Sequence, residues 1–159
     1  MALIIGDIHG CLSHLLSLLD YVQPSADQTI VTLGDYIDRG EDTKGVIDLL
    51  LQLNKNHHLV TLKGNHDVFM EEALHSPSVH RFWIQPEVGG LETLQSYQNH
   101  LDNVPQSHWT FLAEAPLWYE GDEFICVHGG VDPALPMAKQ NKETLLNKRF
   151  NKAEVHQSE

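Results

Sequence analysis

Only two cysteines, Cys11 and Cys126, occur among 159 residues. They are too few and too far apart for a disulfide framework or a paired-cysteine metal knuckle, so two reduced, buried thiols are expected. Positive charge is also scarce. Ten Lys and Arg stand against 22 Asp and Glu, giving a formal net charge of -12. Binding to a nucleic-acid backbone depends on Lys and Arg releasing counterions from phosphates, so this balance argues against a nucleic-acid partner. Small anionic substrates stay open, because a bound metal reverses the field in one cleft. No apolar stretch approaches the roughly 20 residues needed to span a bilayer. The chain runs from Met1 into a short apolar segment ending at Ile5 with no basic leader, so a soluble cytoplasmic protein with no membrane partner is expected. Internal repeats, low-complexity tracts and linkers are likewise missing, and 42% hydrophobic with 20% charged residues fits one globular domain with a buried core.

What is there begins with alternating periodicities. Ala2 to Ile5, Thr29 to Leu33 and His58 to Leu62 are brief runs rich in Leu, Ile and Val, the pattern of fully buried strands. Between them lie two apolar stripes at helical spacing: Leu12, Leu15, Leu16, Leu19 and Val22, then Val46, Ile47, Leu50 and Leu53. The order strand, helix, strand, helix, strand predicts an α/β fold whose right-handed crossovers make a parallel sheet. In the middle, a helix from near Asn65 closes at Glu71 to Leu74 and is interrupted by Pro77. Leu91 to His100 and Pro105 to Ala115 form two short helices, with Pro105 in a first turn and Pro116 as a stop. Leu117 to Glu120 and Phe124 to Val127, joined at Gly121 and Asp122, predict a hairpin that delivers His128 to the end of another strand.

Each of the first three strands ends in a glycine, Gly6, Gly34 or Gly64, so the residues that follow cluster at the carboxyl edge of the sheet, where open α/β sheets place ligands. Asp7, Asp35 and Asn65 recur at about 30 residues, the length of one βαβ unit. Four segments result: GDIHG from Gly6, GDYIDRG from Gly34, GNHD from Gly64 and HGG from His128. Their carboxylate, imidazole and amide groups suit Mn, Fe, Co or Zn rather than Ca or Mg. Glycines beside such groups let the backbone turn sharply and approach a phosphate. Asp67 is expected to be a first-turn helix carboxylate rather than a ligand. Of the 11 histidines, His57, His58, His75, His80, His100 and His108 lack a spaced partner and are expected at the surface.

These four segments resemble those of the calcineurin-like metallophosphoesterase superfamily, in the branch of serine/threonine phosphoprotein phosphatases and symmetrical diadenosine tetraphosphatases. VTLGDYIDRG, GVIDLLLQL, GGLETLQSY and VHGGVDPALP extend the likeness to bacterial members over nearly the whole chain. The resemblance implies a metallophosphoesterase β-sandwich flanked by helices, with the βαβαβ unit at its N-terminal side. It implies two divalent transition metals, manganese first and iron or zinc as alternatives. Asp7 and His9 would hold the first, Asp35 would bridge, and Asn65 and His128 would hold the second. His66 corresponds to a general acid, Asp38 to the carboxylate that orients it, and Arg39 to an arginine that grips the substrate phosphate. Lys63 stands where relatives commonly carry a phosphate-binding arginine. Arg149, in ETLLNKRF, resembles a further phosphate contact. Such a site would hydrolyse phosphomonoesters of proteins or small molecules. The alternatives are a symmetrical dinucleoside polyphosphate hydrolase and a member that binds metal or phosphate without turnover.

The chemistry is coherent without the family name. Two metals about 3.5 to 4 Å apart clamp phosphoryl oxygens and activate water. A leaving alkoxide still needs a proton, and an imidazolium held by a carboxylate gives one, worth about 10²–10⁴-fold in rate. Relatives complete the second metal site with a histidine in a Gly-His-Thr stretch, which this sequence lacks; His156, in the polar tail Lys152 to Glu159, is a poor substitute. The resemblance therefore implies a domain without the family's closing strands, an exposed sheet edge, and a second metal held more weakly than the first.

Overall fold

Ile30 and Val31 lie at the centre of the molecule on a strand that β-branched residues favour. The structure, a computed structural model, describes residues 2–149; His156 and the tail from Lys152 fall outside them. Strand β2 (Thr29–Thr32) is flanked by β1 (Leu3–Ile5) and β3 (His58–Thr61), all parallel, with Leu3 opposite Ile30 and Thr29 opposite His58. Helices α1 (Leu12–Val22) and α2 (Thr43–Leu53) make the two crossovers. The βαβαβ unit is as the periodicity predicts. Burial differs. Only β2 is enclosed, whereas Ile4 on β1 is 47% exposed and β3 is partly exposed along its length. The reason is position: among the described residues both outer strands pair with β2 alone.

One sheet face carries Ile5 and Ile30 onto Leu15, Val46, Ile47 and Leu50 of the two helices. The other carries Val31 and Leu62 onto Cys126, Tyr119 and Phe124 of the antiparallel hairpin β4 (Trp118–Glu120) and β5 (Ile125–Val127). Helix, sheet and hairpin thus form stacked layers of mixed α/β architecture. Cys126 is buried as expected, but Cys11 is only half-buried and gives its Sγ hydrogen to the His9 carbonyl. No helix among the described residues is long and apolar enough to cross a membrane.

The middle of the chain departs further from expectation. Helix α3 (Asn65–Ala73) ends as predicted, but Pro77 starts a separate helix, α4 (Pro77–Trp83), instead of merely interrupting one. Proline lacks only an N–H that a first turn leaves unpaired, and Ser76 caps that turn by accepting from the Val79 N–H. Helix α5 (Gly90–Ser96) stops early because Gln98 and Asn99 take left-handed φ values of 59° and 64°. Helix α6 (Gln106–Glu114) begins one residue after Pro105, which serves as its cap. A last short helix, α7 (Lys142–Asn147), follows the hairpin.

His108 is not at the surface. It is 1% exposed on α6, accepts from the Tyr97 hydroxyl at 2.8 Å through Nδ1 and donates to Asp48 at 3.0 Å through Nε2. This ties α6 to α2 and to the end of α5. Burial pushes the imidazole pKa down, opposed by Asp48 and assisted by Lys44. The neutral ring is therefore the folded form, and the unfolded chain takes up the proton first. Stability from this group is full above its unfolded value of about 6.5 and is lost as pH falls below that. His108→Ala should cost about 2–3 kcal/mol by leaving the Tyr97 hydroxyl unpaired, and urea unfolding at a series of pH values should show a shallower acid slope than the parent. An unchanged slope would refute this account.

Candidate active site

The predicted convergence is present at the carboxyl edge of the sheet. Asp7 and His9 follow β1, Asp35 follows β2, Asn65 opens α3 and His128 follows β5. Backbone hydrogen bonds stitch the first two loops together: the Ile8 and His9 N–H groups donate to the Asp35 carbonyl at 3.1 and 2.8 Å, and Gly10 donates to Tyr36. His9, Asp35, Asp38 and Arg39 all take left-handed φ values, 47°, 52°, 72° and 67°. Four such residues in two loops represent stored strain of the kind functional sites hold. At Gly34, with φ of 104°, a Cβ would collide with the Gly64 backbone, so the second and third loops can touch only because both positions are glycine.

Asp67 is a first-turn carboxylate of α3, and it does more than cap. It accepts from Gly64 at 2.8 Å, from Asp35 at 3.0 Å and from Tyr36 at 3.1 Å, all backbone N–H groups. It thereby bolts the Asp35 loop to α3. Burial and the neighbouring Asp35 charge push its carboxyl up to about 7, against the pull of those three donors.

Three imidazoles point Nε2 into the cavity because Nδ1 is committed behind them. His9 Nδ1 donates to the Ile37 carbonyl at 2.8 Å, His128 Nδ1 to the Leu33 carbonyl at 2.8 Å, and His66 Nδ1 to Asp38 at 2.6 Å. Those oxygens only accept, so each Nδ1 carries the proton; this back-side support is typical of metal-ligating histidines. Asp35 Oδ2 lies 3.6 Å from His9 Nε2 and 3.5 Å from His128 Nε2. Asn65 Oδ1 lies 2.9 Å from His128 Nε2. Candidate ligand atoms of His9, Asp35 and His66 lie within 4.8 Å of one another, as do those of Asp7, Asp35 and His128. Asp7 lies near both histidines, 4.0 Å from His9 Nε2 and 3.9 Å from His128 Nδ1. Imidazole, carboxylate and amide donors at this spacing fit divalent transition metals.

The Arg39 guanidinium donates to His9 Nε2 at 2.8 Å and to His66 Nε2 at 3.0 Å, so both rings accept there. Arg149 lines the same cavity of about 370 Å³, with Asp7, Asn65 and Gly129. It arrives there because Gly129 donates its N–H to the Leu145 carbonyl at 2.6 Å, and a Cβ at Gly129 would lie 2.7 Å from the Leu146 backbone. Lys63 requires a correction. Its Nζ is turned toward α3 and α6, pairs with Glu71 at 2.9 Å and reaches the Ala113 carbonyl at 3.3 Å, and it does not line the cavity. A buried ammonium needs a carboxylate, and Glu71, two turns along α3, supplies one. Sequence reasoning also missed Trp83 and Thr93, which both bond Asp38; neither spacing nor residue type signalled them.

The family model described as calcineurin-like phosphoesterase matches residues 2–157. A symmetrical bis(5'-nucleosyl)-tetraphosphatase of Nitrosomonas europaea is 32% identical over 130 residues, 81% of this chain and 44% of that protein. The serine/threonine-protein phosphatase 2B catalytic subunit A2 of Saccharomyces cerevisiae is 33% identical over 132 residues, 82% of this chain and 20% of that protein. A crystal structure provisionally described as a diadenosine tetraphosphatase superposes with TM-score 0.68 at 27% identity, covering 89% of this chain and 56% of the other. The chain spans about half or less of the length of these relatives. With a like fold and a family model covering nearly every residue, the chain belongs to the calcineurin-like phosphoesterase family.

Proposed function

We propose that the protein is a metal-dependent phosphoester hydrolase, one domain that directs water onto a phosphomonoester. The carrying observation is the position of Asp35 Oδ2 between the Nε2 atoms of His9 and His128, at 3.6 and 3.5 Å. Asp7, His9 and Asp35 would hold one divalent cation, and Asp35, Asn65 and His128 a second, with manganese the expected activator. Such a pair supplies Lewis acidity toward phosphoryl oxygens and eases deprotonation of water. The chain's own groups do the rest. Arg39 and Arg149 grip the phosphate, Arg39 exchanging its two imidazole partners for phosphoryl oxygens in a bidentate contact. Once Arg39 has turned to the phosphate, His66 Nε2 takes up a proton from solvent and gives it to the leaving oxygen, while Asp38 supports the positive ring in between.

A second reading, cleavage of dinucleoside polyphosphates, is favoured by the 32% identity to the tetraphosphatase relative. It presents the same phosphoryl group to the same residues and differs in what lies beyond it. After manganese incubation and desalting, elemental analysis should find bound metal, and the loaded chain should hydrolyse an aryl phosphate. Faster turnover of diadenosine tetraphosphate than of a phosphopeptide would select the second reading. No retained metal, with no response of stability or turnover to manganese, would defeat both.

A further inference from the structure

Asp38 is a fully buried carboxylate of this site. A carboxylate there must have its oxygens occupied by donors or it loses its charge. His66 provides one donor, to Oδ2 at 2.6 Å. The others come from a segment to which the family likeness assigns no task. The Trp83 indole N–H straddles the carboxylate at 2.9 Å from Oδ1 and 3.0 Å from Oδ2. The Thr93 hydroxyl donates to Oδ1 at 2.8 Å and accepts from the Asp38 backbone N–H at 2.8 Å, so one side chain clamps both ends of the residue. That second contact also holds the left-handed turn at Asp38.

The intervening glycines make the arrangement feasible. Gly90 lies under the Trp83 ring, where a Cβ would stand 2.5 Å from ring carbons. Gly89, at φ of 94°, turns its carbonyl to receive the Arg39 N–H at 3.0 Å. Helices α4 and α5 with their Gly-Gly junction therefore form a brace behind both Asp38 and Arg39.

We infer that Trp83 and Thr93 are positioning residues for proton delivery: by filling Asp38 from behind they fix the carboxylate that aims His66 Nε2 at the leaving oxygen. This gives GGLETLQSY a task and extends the acid dyad by one layer into the core. It rests on the proposed hydrolase reading for its kinetic consequence, but the hydrogen bonds it concerns can be read without turnover.

Trp83→Phe removes the N–H and keeps most of the aromatic bulk, Thr93→Val removes the hydroxyl at nearly constant volume, and Thr93→Ser restores it. In the metal-free chain, proton NMR with nitrogen-15-labelled histidine should show the His66 Nδ1–H far downfield in the parent and in Thr93→Ser. In Trp83→Phe and Thr93→Val that resonance should shift upfield or be lost to exchange. In the manganese-loaded chain, turnover of an alkyl phosphate should fall about tenfold in the first two variants and that of an aryl phosphate about twofold, since only the poorer leaving group depends on the proton. An unmoved resonance, or equal losses on both substrates without rescue by serine, would overturn the inference. A parent chain that takes up metal but turns over neither substrate defeats the hydrolase reading instead, and the resonance then decides the positioning role alone.

Discussion

His66→Ala should lower turnover of an alkyl phosphate by about 10²–10³-fold and that of an aryl phosphate with a good leaving group by less than about tenfold. His66 is buried, its Nδ1–H is fixed on Asp38 at 2.6 Å, and its Nε2 faces the cavity that Asp7, His9, Asp35 and His128 line. A nitrophenolate departs without help, whereas an alkoxide does not. Metal uptake should be nearly unaffected, because the groups proposed to hold metal stay in place. Parallel kinetics on the two substrates check this. Equal losses would mean that His66 shapes the site rather than delivering a proton.

Asp35→Asn should have opposite effects on the metal-free and metal-loaded chain. Asp35 is 3% exposed and lies beside Asp67, whose carboxyl its charge helps to push up. Two buried carboxylates without a cation between them repel, so neutralising Asp35 should raise the melting temperature of the metal-free chain by about 3 °C, equivalent to roughly 1 kcal/mol. The asparagine oxygen can still accept the His66 backbone N–H that Asp35 Oδ1 accepts at 2.9 Å, so the loop has no reason to collapse. Manganese should stabilise the parent by about 2–3 kcal/mol at 100 times its dissociation constant. The variant should gain little, and its turnover should fall at least about 100-fold. Thermal scans with and without manganese separate the two effects. A destabilised metal-free variant, or one stabilised by manganese as strongly as the parent, would remove Asp35 from its bridging place.

The site was largely legible in the chain because its spacing follows from the fold's own repeat. Strands each followed closely by a glycine set Asp7, Asp35 and Asn65 on neighbouring loops, and parallel pairing then needs no further information to bring them together. Lys63 misled because a residue one position before a motif shares its neighbourhood but not its direction; Glu71 decides where the amine goes. His108 misled because its partners, Tyr97 and Asp48, lie on other elements, at separations that no local pattern encodes. Helix α4 was missed because a proline read as a stop is equally a start, and the choice rests on the capping hydroxyl of Ser76.

What the sequence determined by itself is what repeats locally: the apolar periods of α1 and α2, the strands between them, the glycines at their ends and hence the edge at which the polar groups meet. Tertiary structure alone decided how those groups are held. The proton on each Nδ1, the left-handed turns at Asp35 and Asp38, the bolt at Asp67 and the brace of Trp83 and Thr93 all depend on atoms brought together from elements distant in the chain. Period and propensity act over a few residues, whereas a buried charge takes whichever donors packing leaves beside it.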